Sequence, residues 1–338
     1  MTAKPKGLRH WLHSRKGQQW ITIIAFMIIP LTLLVVFTYI PFGEMIRFSF
    51  FKMKYTTPAA KWKFVGWKNY IKVFTRDDCF RALKISLYYM VGSLVQLALA
   101  LYLATILSFK VRGGNIFKGL MFFPFLINGI AIGFIFKFFY TRGFVLDTVL
   151  SWIGFNAESL PYWLKDKSIN NWSLVATSVW RYFGQNMVLF IGAIMSVDSS
   201  MYEAADLDGA NGFQKFLYII LPSIKTIVTL NIILSITGSL SAFEPPYVIT
   251  SGGNGTATYF VVMNEVAHVN QNVGLACAMA VVLLMIIFAA TILQKLFFKY
   301  VFRNADSEDE SFKAKKQRLK AEKASRKAVP AAGKGGVS

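Results

Sequence analysis

The sequence predicts an all-α, polytopic membrane protein with six transmembrane helices. Its 338 residues are 55% hydrophobic and 16% charged, whereas soluble domains are about 25% charged. Five of the spans are uncharged runs long enough, as helices, to cross a hydrocarbon core of about 30 Å: 21–42, 85–109, 119–136, 226–243 and 269–294. The sixth, 172–197, is interrupted by Arg181 but ends in an apolar run.

The termini differ in composition from the membrane domain, which we place at residues 20–300. Residues 1–19 form a basic arm, and residues 301–338 form a charged tail that we expect to be disordered. The net charge of +20 raises the alternative of nucleic-acid binding. Because the tail mixes acids with its cations, a solvated extension beside anionic lipid fits better. We therefore predict membrane lipid, and no nucleic acid, as a partner.

The loops between the first spans carry distinct patterns. The first loop, 43–84, alternates aromatic residues with lysines in WKFVGWKNYIKVF, which predicts an amphipathic stretch along the outer leaflet. A tight turn, KVRGGN, joins the second and third spans. The loop 141–171 is expected either to cap the mouth of a pathway or to receive a partner.

Charge counting leaves the orientation open. If the N-terminus is cytoplasmic, the short cytoplasmic segments carry ten Lys and Arg residues, and the first external loop alone carries ten. The positive-inside rule on short loops therefore mildly opposes this orientation, and the tail charges favour it.

The segment 203–222, EAADLDGANGFQKFLYIILP, sets acids and glycines between two spans. Ser200 and Glu203 have the spacing of a capping box, in which each side chain bonds the backbone N–H of the other. A short helix is therefore predicted to begin at Ser200, to continue through Leu207 and to stop at Gly209, which can adopt positive φ. An isolated helix this short is marginal in water, so other contacts must hold it.

The chain then returns to the membrane. Gly212 is predicted to let it turn before Phe213 and Phe216 re-enter the bilayer, and Pro222 to set the start of the fifth span. Composition alone leaves an equal alternative, an ordinary connecting loop whose acids are solvated.

Seven positions of this segment resemble the complete cytoplasmic EAA loop of ABC importer permeases. They are Glu203, Ala204, Ala205, Gly209, Ile219, Leu221 and Pro222. In that family the loop forms a coupling helix that docks into a groove on the ATP-binding subunit. The resemblance implies that Glu203 faces the ATPase together with the nearby acids Asp206 and Asp208. It also implies that Gly209 provides the bend and that the coupling loop 198–222 is cytoplasmic.

A second stretch, 246–280, is similar to the last external loop and span of carbohydrate importers of the maltose-permease type. Asn254, where proline is usual, and Cys277, where serine is usual, are mild departures. With FVGWKNY in the first loop, the resemblance covers about residues 20–300. The matching positions are Thr250, Gly252, Gly253, Thr256 or Thr258, Gly274 and Ala278.

This resemblance implies a type I ABC importer permease fold, with the chain as the MalF-like subunit in a bacterial inner membrane. Both termini are then cytoplasmic. The implied partners are a MalG-like second permease, two ATP-binding cassette subunits and an external solute-binding protein. The chain itself is expected to be no enzyme and to bind no cofactor or metal, with ATP and magnesium held by the ATPase subunits.

Polar residues inside the spans are candidates for the substrate pathway, because such groups usually face a bundle interior or a cavity. Neutral donors and acceptors suit sugar hydroxyls, although interhelical hydrogen bonding is the alternative role. Arg181 and Glu244 are expected either to form an external gate pair or to snorkel to the interface. The candidates are Gln185 and Asn186 near the midplane, the stripe Asn231, Ser235 and Ser239, and Asn128.

Three other functions stay open at this stage. A secondary transporter or channel would call for buried acids or histidines as ion carriers, which the span interiors lack. An intramembrane enzyme would need Ser239 or Ser241 beside His268 as nucleophile and base. An ABC importer of a non-sugar substrate is the third.

Overall fold

The regular structure is almost entirely helical in the computed structural model, which describes residues 15–109 and 111–301. Most of the predicted basic arm and charged tail lies outside these residues. Four helices are long and apolar enough to cross a membrane: Gly17–Phe48, Asp77–Leu107, Lys225–Val248 and Val273–Tyr300. Two bent pairs meet the same criterion if each counts as one span: Gly114–Leu126 with Gly129–Tyr140, and Asn170–Met195 with Ser199–Leu207. This agrees with the all-α, six-span prediction.

The first span stands apart from the remaining helices. It comprises α1 (Arg15–Leu34), a π-helical turn and α2 (Ile40–Phe48). None of the residues in its most apolar window is buried, and α2 is the part that packs against the last helix. An apolar helix exposed on all sides must face lipid or another subunit.

A small folded unit follows the first span at residues 49–75, and we call it the external unit after the orientation that the resemblance implies. Strands β1 (Phe51–Lys52) and β2 (Lys63–Phe64) pair antiparallel, with Phe51 opposite Phe64 and Lys52 opposite Lys63. Helix α3 (Lys68–Thr75) follows, packed against the last helix of the chain and tied to strand β1 by one side chain. The buried Asn69 amide joins them, donating to the carbonyls of Ser49 at 2.8 Å and Phe51 at 3.0 Å.

The central pair of helices is α4 (Asp77–Leu107) and α8 (Asn170–Met195). A Cβ added at Gly92 of α4 would lie 2.1 Å from Val175 of α8, so the small residue permits this close packing. At the ends nearest residues 198–222 the two helices share a buried apolar cluster, called the inner cluster, that includes Leu97, Ala100, Met187 and Phe190.

The third span is broken, so the prediction of one continuous helix over 119–136 is wrong. Helix α5 (Gly114–Leu126) and helix α6 (Gly129–Tyr140) meet at 98°. Ile127 is extended, and the Asn128 side chain caps α6 by accepting the Ile130 N–H at 2.9 Å. With 12 residues, α6 is about 18 Å long and too short to cross a bilayer alone.

The loop 141–171 is a folded structure built around a buried carboxylate. It contains α7 (Val145–Trp152). Asp147 is 3% exposed and accepts hydrogen bonds from the Gly143 N–H and the Trp163 indole, both at 2.7 Å. The Arg142 guanidinium lies 3.6 Å from the same carboxylate. Whether this loop caps a pathway or receives a partner stays a prediction.

The C-terminal half continues through α9 (Ser199–Leu207) and α10 (Gly212–Lys215), a π-helical turn, α11 (Leu221–Ser223) and α12 (Lys225–Leu240). It ends with α13 (Glu244–Val248), α14 (Tyr259–Asn264) and α15 (Val273–Val301). The buried Tyr259 hydroxyl donates to the Met279 carbonyl at 3.0 Å and joins α14 to α15. A Cβ at Gly274 would lie 1.8 Å from the Phe51 carbonyl, so α15 also packs directly on the external unit.

Candidate functional site

Helix α9 begins at a cap that the sequence interpretation placed wrongly. Asp198 is the N-cap, and its carboxylate accepts the Ser200 backbone N–H at 3.0 Å. The predicted box between Ser200 and Glu203 is absent, because the helix already starts at Ser199 and Ser200 lies within it. Aspartate and serine are equally good N-cap residues. The cap is Asp198 because it is the residue immediately before the first helical residue, Ser199.

The end of α9 confirms the predicted stop at Gly209. Its φ is +72°. The Gly209 N–H donates to the Asp206 carbonyl at 3.1 Å, and the Ala210 N–H donates to that of Ala205 at 2.9 Å. These two bonds form a Schellman motif, which satisfies the last carbonyls of the helix.

The predicted turn at Gly212 is wrong. Gly212 is the first residue of α10, and its N-cap is Asn211. Asn211 forms a reciprocal capping box with Gln214, with bonds of 2.8 and 2.9 Å. The chain therefore reverses at Gly209 alone, and a second helix starts three residues later.

Aromatic and apolar contacts hold this short helical segment against the bundle. The Tyr202 ring packs edge-on against Phe109, two residues beyond the end of α4, with ring centroids 5.6 Å apart. Ile220 and Ile224 are buried in the inner cluster, with Phe216 packed against it. These contacts supply the tertiary support that so short a helix needs.

Most of the predicted coupling residues are exposed on this segment. Asp206 pairs with Lys215 of α10. Leu207 is 91% exposed, and the sequence interpretation did not include it among the coupling residues, although an apolar residue on a polar helix was the available signal. Ala205, Ile219 and Leu221 are half-buried, whereas the exposed members are Glu203, Ala204, Asp206, Asp208, Gly209 and Pro222.

A cavity of about 420 Å³ lies between α4, α8 and α12. Asn128, one of the six predicted pathway residues, lies at the α5–α6 break and does not line this cavity. The cavity is also lined by residues that were not proposed, Ser93 and Ser178 among them. Five of the six predicted pathway residues do line it: Gln185, Asn186, Asn231, Ser235 and Ser239.

The polar lining residues divide into two groups. Asn231 and Ser239 are buried and bonded within the bundle: the Asn231 amide donates to the Ile227 carbonyl at 2.9 Å, and the Ser239 hydroxyl lies 3.2 Å from that of Ser93 on α4. The side-chain amides of Gln185 and Asn186 are half-exposed and have no hydrogen-bond partner among residues 15–109 and 111–301. These two amides are therefore free to meet a polar solute.

An ion pair lies beside the cavity. The Arg181 guanidinium contacts the Glu244 carboxylate, and Glu244 lines the cavity. The pair packs against the α5–α6 break, because a Cβ at Gly129 would lie 2.1 Å from the Glu244 carboxylate. Arg181 also stacks over the Tyr182 ring at 5.0 Å. The two side chains meet, as one sequence alternative expected, and their gating role stays a prediction.

The serine and histidine of the enzyme alternative are not brought together. His268 stacks on Tyr55 of the external unit, with ring centroids 5.6 Å apart, and is not among the residues lining the cavity that holds Ser239 and Ser241. Among the residues that the structure describes, no cluster of three or more His, Cys, Asp or Glu side chains could hold a metal ion.

A helical membrane bundle with a polar cavity and an exposed, capped helical segment defines the class of membrane transport subunits. Residues 96–303 match the family described as "Binding-protein-dependent transport system inner membrane component", and the chain belongs to that family. It is thus an ABC transporter permease, as the EAA-loop resemblance implied.

Individual relatives agree with this assignment. The chain is 31% identical over 278 residues to the probable ABC transporter permease protein YurN of Bacillus subtilis, covering 80% of this chain and 94% of YurN. It is 32% identical over 287 residues to the diacetylchitobiose uptake system permease protein NgcF of Streptomyces coelicolor, covering 80% of each.

A solved structure shares the fold. The bacterial alginate ABC transporter in complex with an alginate pentasaccharide-bound periplasmic protein contains a chain that superposes with a TM-score of 0.72. The identity is 17%, and the match covers 84% of this chain and 96% of that one. At this identity the likeness extends to the fold alone.

Proposed function

We propose that this permease carries a sugar or oligosaccharide from an external solute-binding protein into the cytoplasm. The observation that supports this substrate class is the cavity between α4, α8 and α12. Its polar lining is chiefly neutral amides and hydroxyls, with the Tyr89 and Tyr182 side chains beside them. Neutral donors and acceptors beside aromatic surface match the surface of a sugar. The uptake system of NgcF, by its name, takes diacetylchitobiose.

The remaining partners complete the proposed importer. A second, MalG-like permease would stand beside this chain, and two ATP-binding cassette subunits would supply ATP and magnesium. An ATPase subunit would bind the exposed surface of α9, which includes Glu203 and Leu207. Closure of the ATPase pair on ATP would then tilt the inner helix ends through Tyr202 and the inner apolar cluster. The permease chain itself hydrolyses nothing in this scheme.

Glu203→Ala tests the coupling part of the proposal. We expect the variant to insert normally, because Glu203 is exposed, and to weaken docking of the ATPase subunits or to uncouple ATP turnover from transport. Docking is measured with the purified ATPase, and transport in proteoliposomes that contain the whole importer. Ser223→Ala, an exposed polar change on the same segment, is the matched control. Unchanged transport and ATP turnover in Glu203→Ala would remove this residue from the coupling role.

Sidedness has its own test. The proposal requires a cytoplasmic coupling loop and cytoplasmic termini. A single cysteine at position 208 should react with a membrane-impermeant maleimide in inside-out vesicles and not in intact cells. Labelling from outside the cell would contradict the orientation.

The substrate class is tested through the binding protein. Thermal-shift measurements against a panel of glycans, amino acids and other small solutes should show stabilisation by a glycan. The same glycan, bound to the binding protein, should stimulate ATP turnover by the importer. If only a non-sugar solute stimulated ATP turnover, the chain would still be a permease, but the proposed sugar substrate would be wrong.

A further inference from the structure

We propose that the external unit, residues 49–75, binds the headgroups of anionic phospholipids at the membrane surface. The unit combines an exposed apolar stripe with six exposed lysines. The stripe leads into the lipid-facing surface of α4. The inference concerns a second binding surface and does not depend on which solute the cavity carries.

The first step is the apolar stripe on α3. Trp67, Ile71 and Phe74 follow helical spacing of four and three residues, and they are 67%, 59% and 59% exposed. Asn69 and Val73, on the opposite face, are buried in the protein. An amphipathic helix whose outward face carries large apolar residues is typical of a helix lying in the membrane interface.

The second step is continuity with the bilayer-facing surface. The Phe74 ring contacts the Phe80 ring at the start of α4, with centroids 6.2 Å apart. Further along α4, exposed apolar residues recur every three or four positions on one face. They are Leu87, Val91, Leu94, Val95, Leu99, Tyr102 and Ile106. Because α4 is a membrane-spanning helix, this exposed apolar face lies at the depth of the bilayer, and Phe74 places the α3 stripe at its outer edge.

The third step is the placement of two pairs of lysines at positions where like charges repel. Lys52 and Lys63 lie directly opposite each other across the two-stranded sheet, where like charges destabilise the pairing. Lys68 and Lys72 are four residues apart on α3, a spacing that also repels.

No carboxylate of the described chain compensates these charges. The cations of this loop that do form ion pairs are Arg47, with Glu44, and Arg76, with Asp78. Four lysines in two repelling pairs, joined on the same unit by the exposed Lys54 and Lys61, call for an anion from outside the chain. Beside a stripe that borders the bilayer, the anionic headgroups of phospholipids supply it.

The test is lipid retention by the complete importer. The purified complex is placed in nanodiscs of phosphatidylcholine with or without phosphatidylglycerol, and bound lipid is counted by native mass spectrometry. The test variants are Lys52→Gln with Lys63→Gln, and Lys68→Gln with Lys72→Gln. Each lysine removed should weaken phosphatidylglycerol binding about fivefold, and each pair about 25-fold. Phosphatidylcholine retention should not change.

Two controls keep the result interpretable. Lys165→Gln with Lys167→Gln removes two exposed cations from the other external loop and should retain phosphatidylglycerol as wild type does. Lysine-to-arginine changes at the four test positions should restore binding, which separates loss of charge from loss of fold.

The contrary outcomes are equally defined. Equal retention by wild type and both test variants would overturn the proposal. So would loss of stimulation by the solute-binding protein with lipid retention intact, because the surface would then dock that protein.

Discussion

The coupling loop and the central cavity are built by different kinds of contact. The coupling loop takes its shape from bonds between near neighbours, such as Asp198 with Ser200 and Asn211 with Gln214. The cavity lies among contacts between residues far apart in the sequence: Ser239 meets Ser93 across 146 positions, and Arg181 meets Glu244 across 63. The coupling loop is thus a local structure with an exposed surface, and the cavity is a property of the whole bundle.

Glycines show this difference most directly. Gly184 of α8 lies against the α5 backbone, where a Cβ would be 1.8 Å from the Met121 carbonyl oxygen, whereas Gly209 has open space around it and a φ of +72°. One glycine is required by packing and the other by backbone conformation. Substitution of Gly184 should therefore be unfavourable because of a steric clash, and substitution of Gly209 because of backbone strain.

The largest effect is expected from Gly184→Ala. The added methyl meets backbone, which cannot rotate away, so α5 and α8 must separate at a cost of about 1–3 kcal/mol of stability. The midpoint of thermal unfolding of the purified permease measures it. Gly192→Ala is the control on the same helix: nothing lies within 4 Å of its added methyl, and helix propensity favours alanine by up to about 1 kcal/mol. Equal midpoints for the two variants would show that the α5–α8 contact is looser than described.

A smaller effect is expected from Gly209→Ala. An L-residue in the left-handed region costs about 1–2 kcal/mol, so the reversal after α9 should be populated less and ATPase docking should weaken about 5–30-fold. The dissociation constant of the ATPase subunit measures this change. Gly212→Ala, at a helical position with open space, should dock as wild type does. If Gly212→Ala weakened docking more than Gly209→Ala does, the chain reversal would depend on Gly212, as the sequence first predicted.

The smallest effect is expected at the cap of α9. Bonding to the Ser200 backbone N–H and hydroxyl lowers the pKa of Asp198. A carboxylate with a lowered folded-state pKa stabilises the helix above its unfolded pKa, about 3.9, and the contribution is lost as the pH falls through the folded value. Amide hydrogen-exchange protection of α9 should therefore drop when the pH is lowered below about 4.

Variants separate the cap from the charge. Asp198→Ala should reduce protection of α9 at neutral pH. Asp198→Asn should retain it and lose the acid dependence, since asparagine also caps. Protection that falls with Glu203→Gln and is unaffected at position 198 would restore the capping box first predicted from the sequence.

The sequence by itself determined what depends on composition and on neighbouring residues. Long uncharged runs predicted the spans, because burying charge in hydrocarbon is costly. Gly209 predicted the end of α9, because the left-handed conformation excludes most other residues. The coupling residues could be predicted by resemblance because their identities are concentrated in one short segment.

Tertiary structure decided what depends on how helices pack. It broke the third span at Asn128, where Gly129 and Gly133 approach Glu244 and Val248. It placed five of the six proposed pathway residues around one cavity and left Asn128 outside. Helical periodicity states which residues share a face, but the neighbour of that face is set by shape complementarity among all the helices.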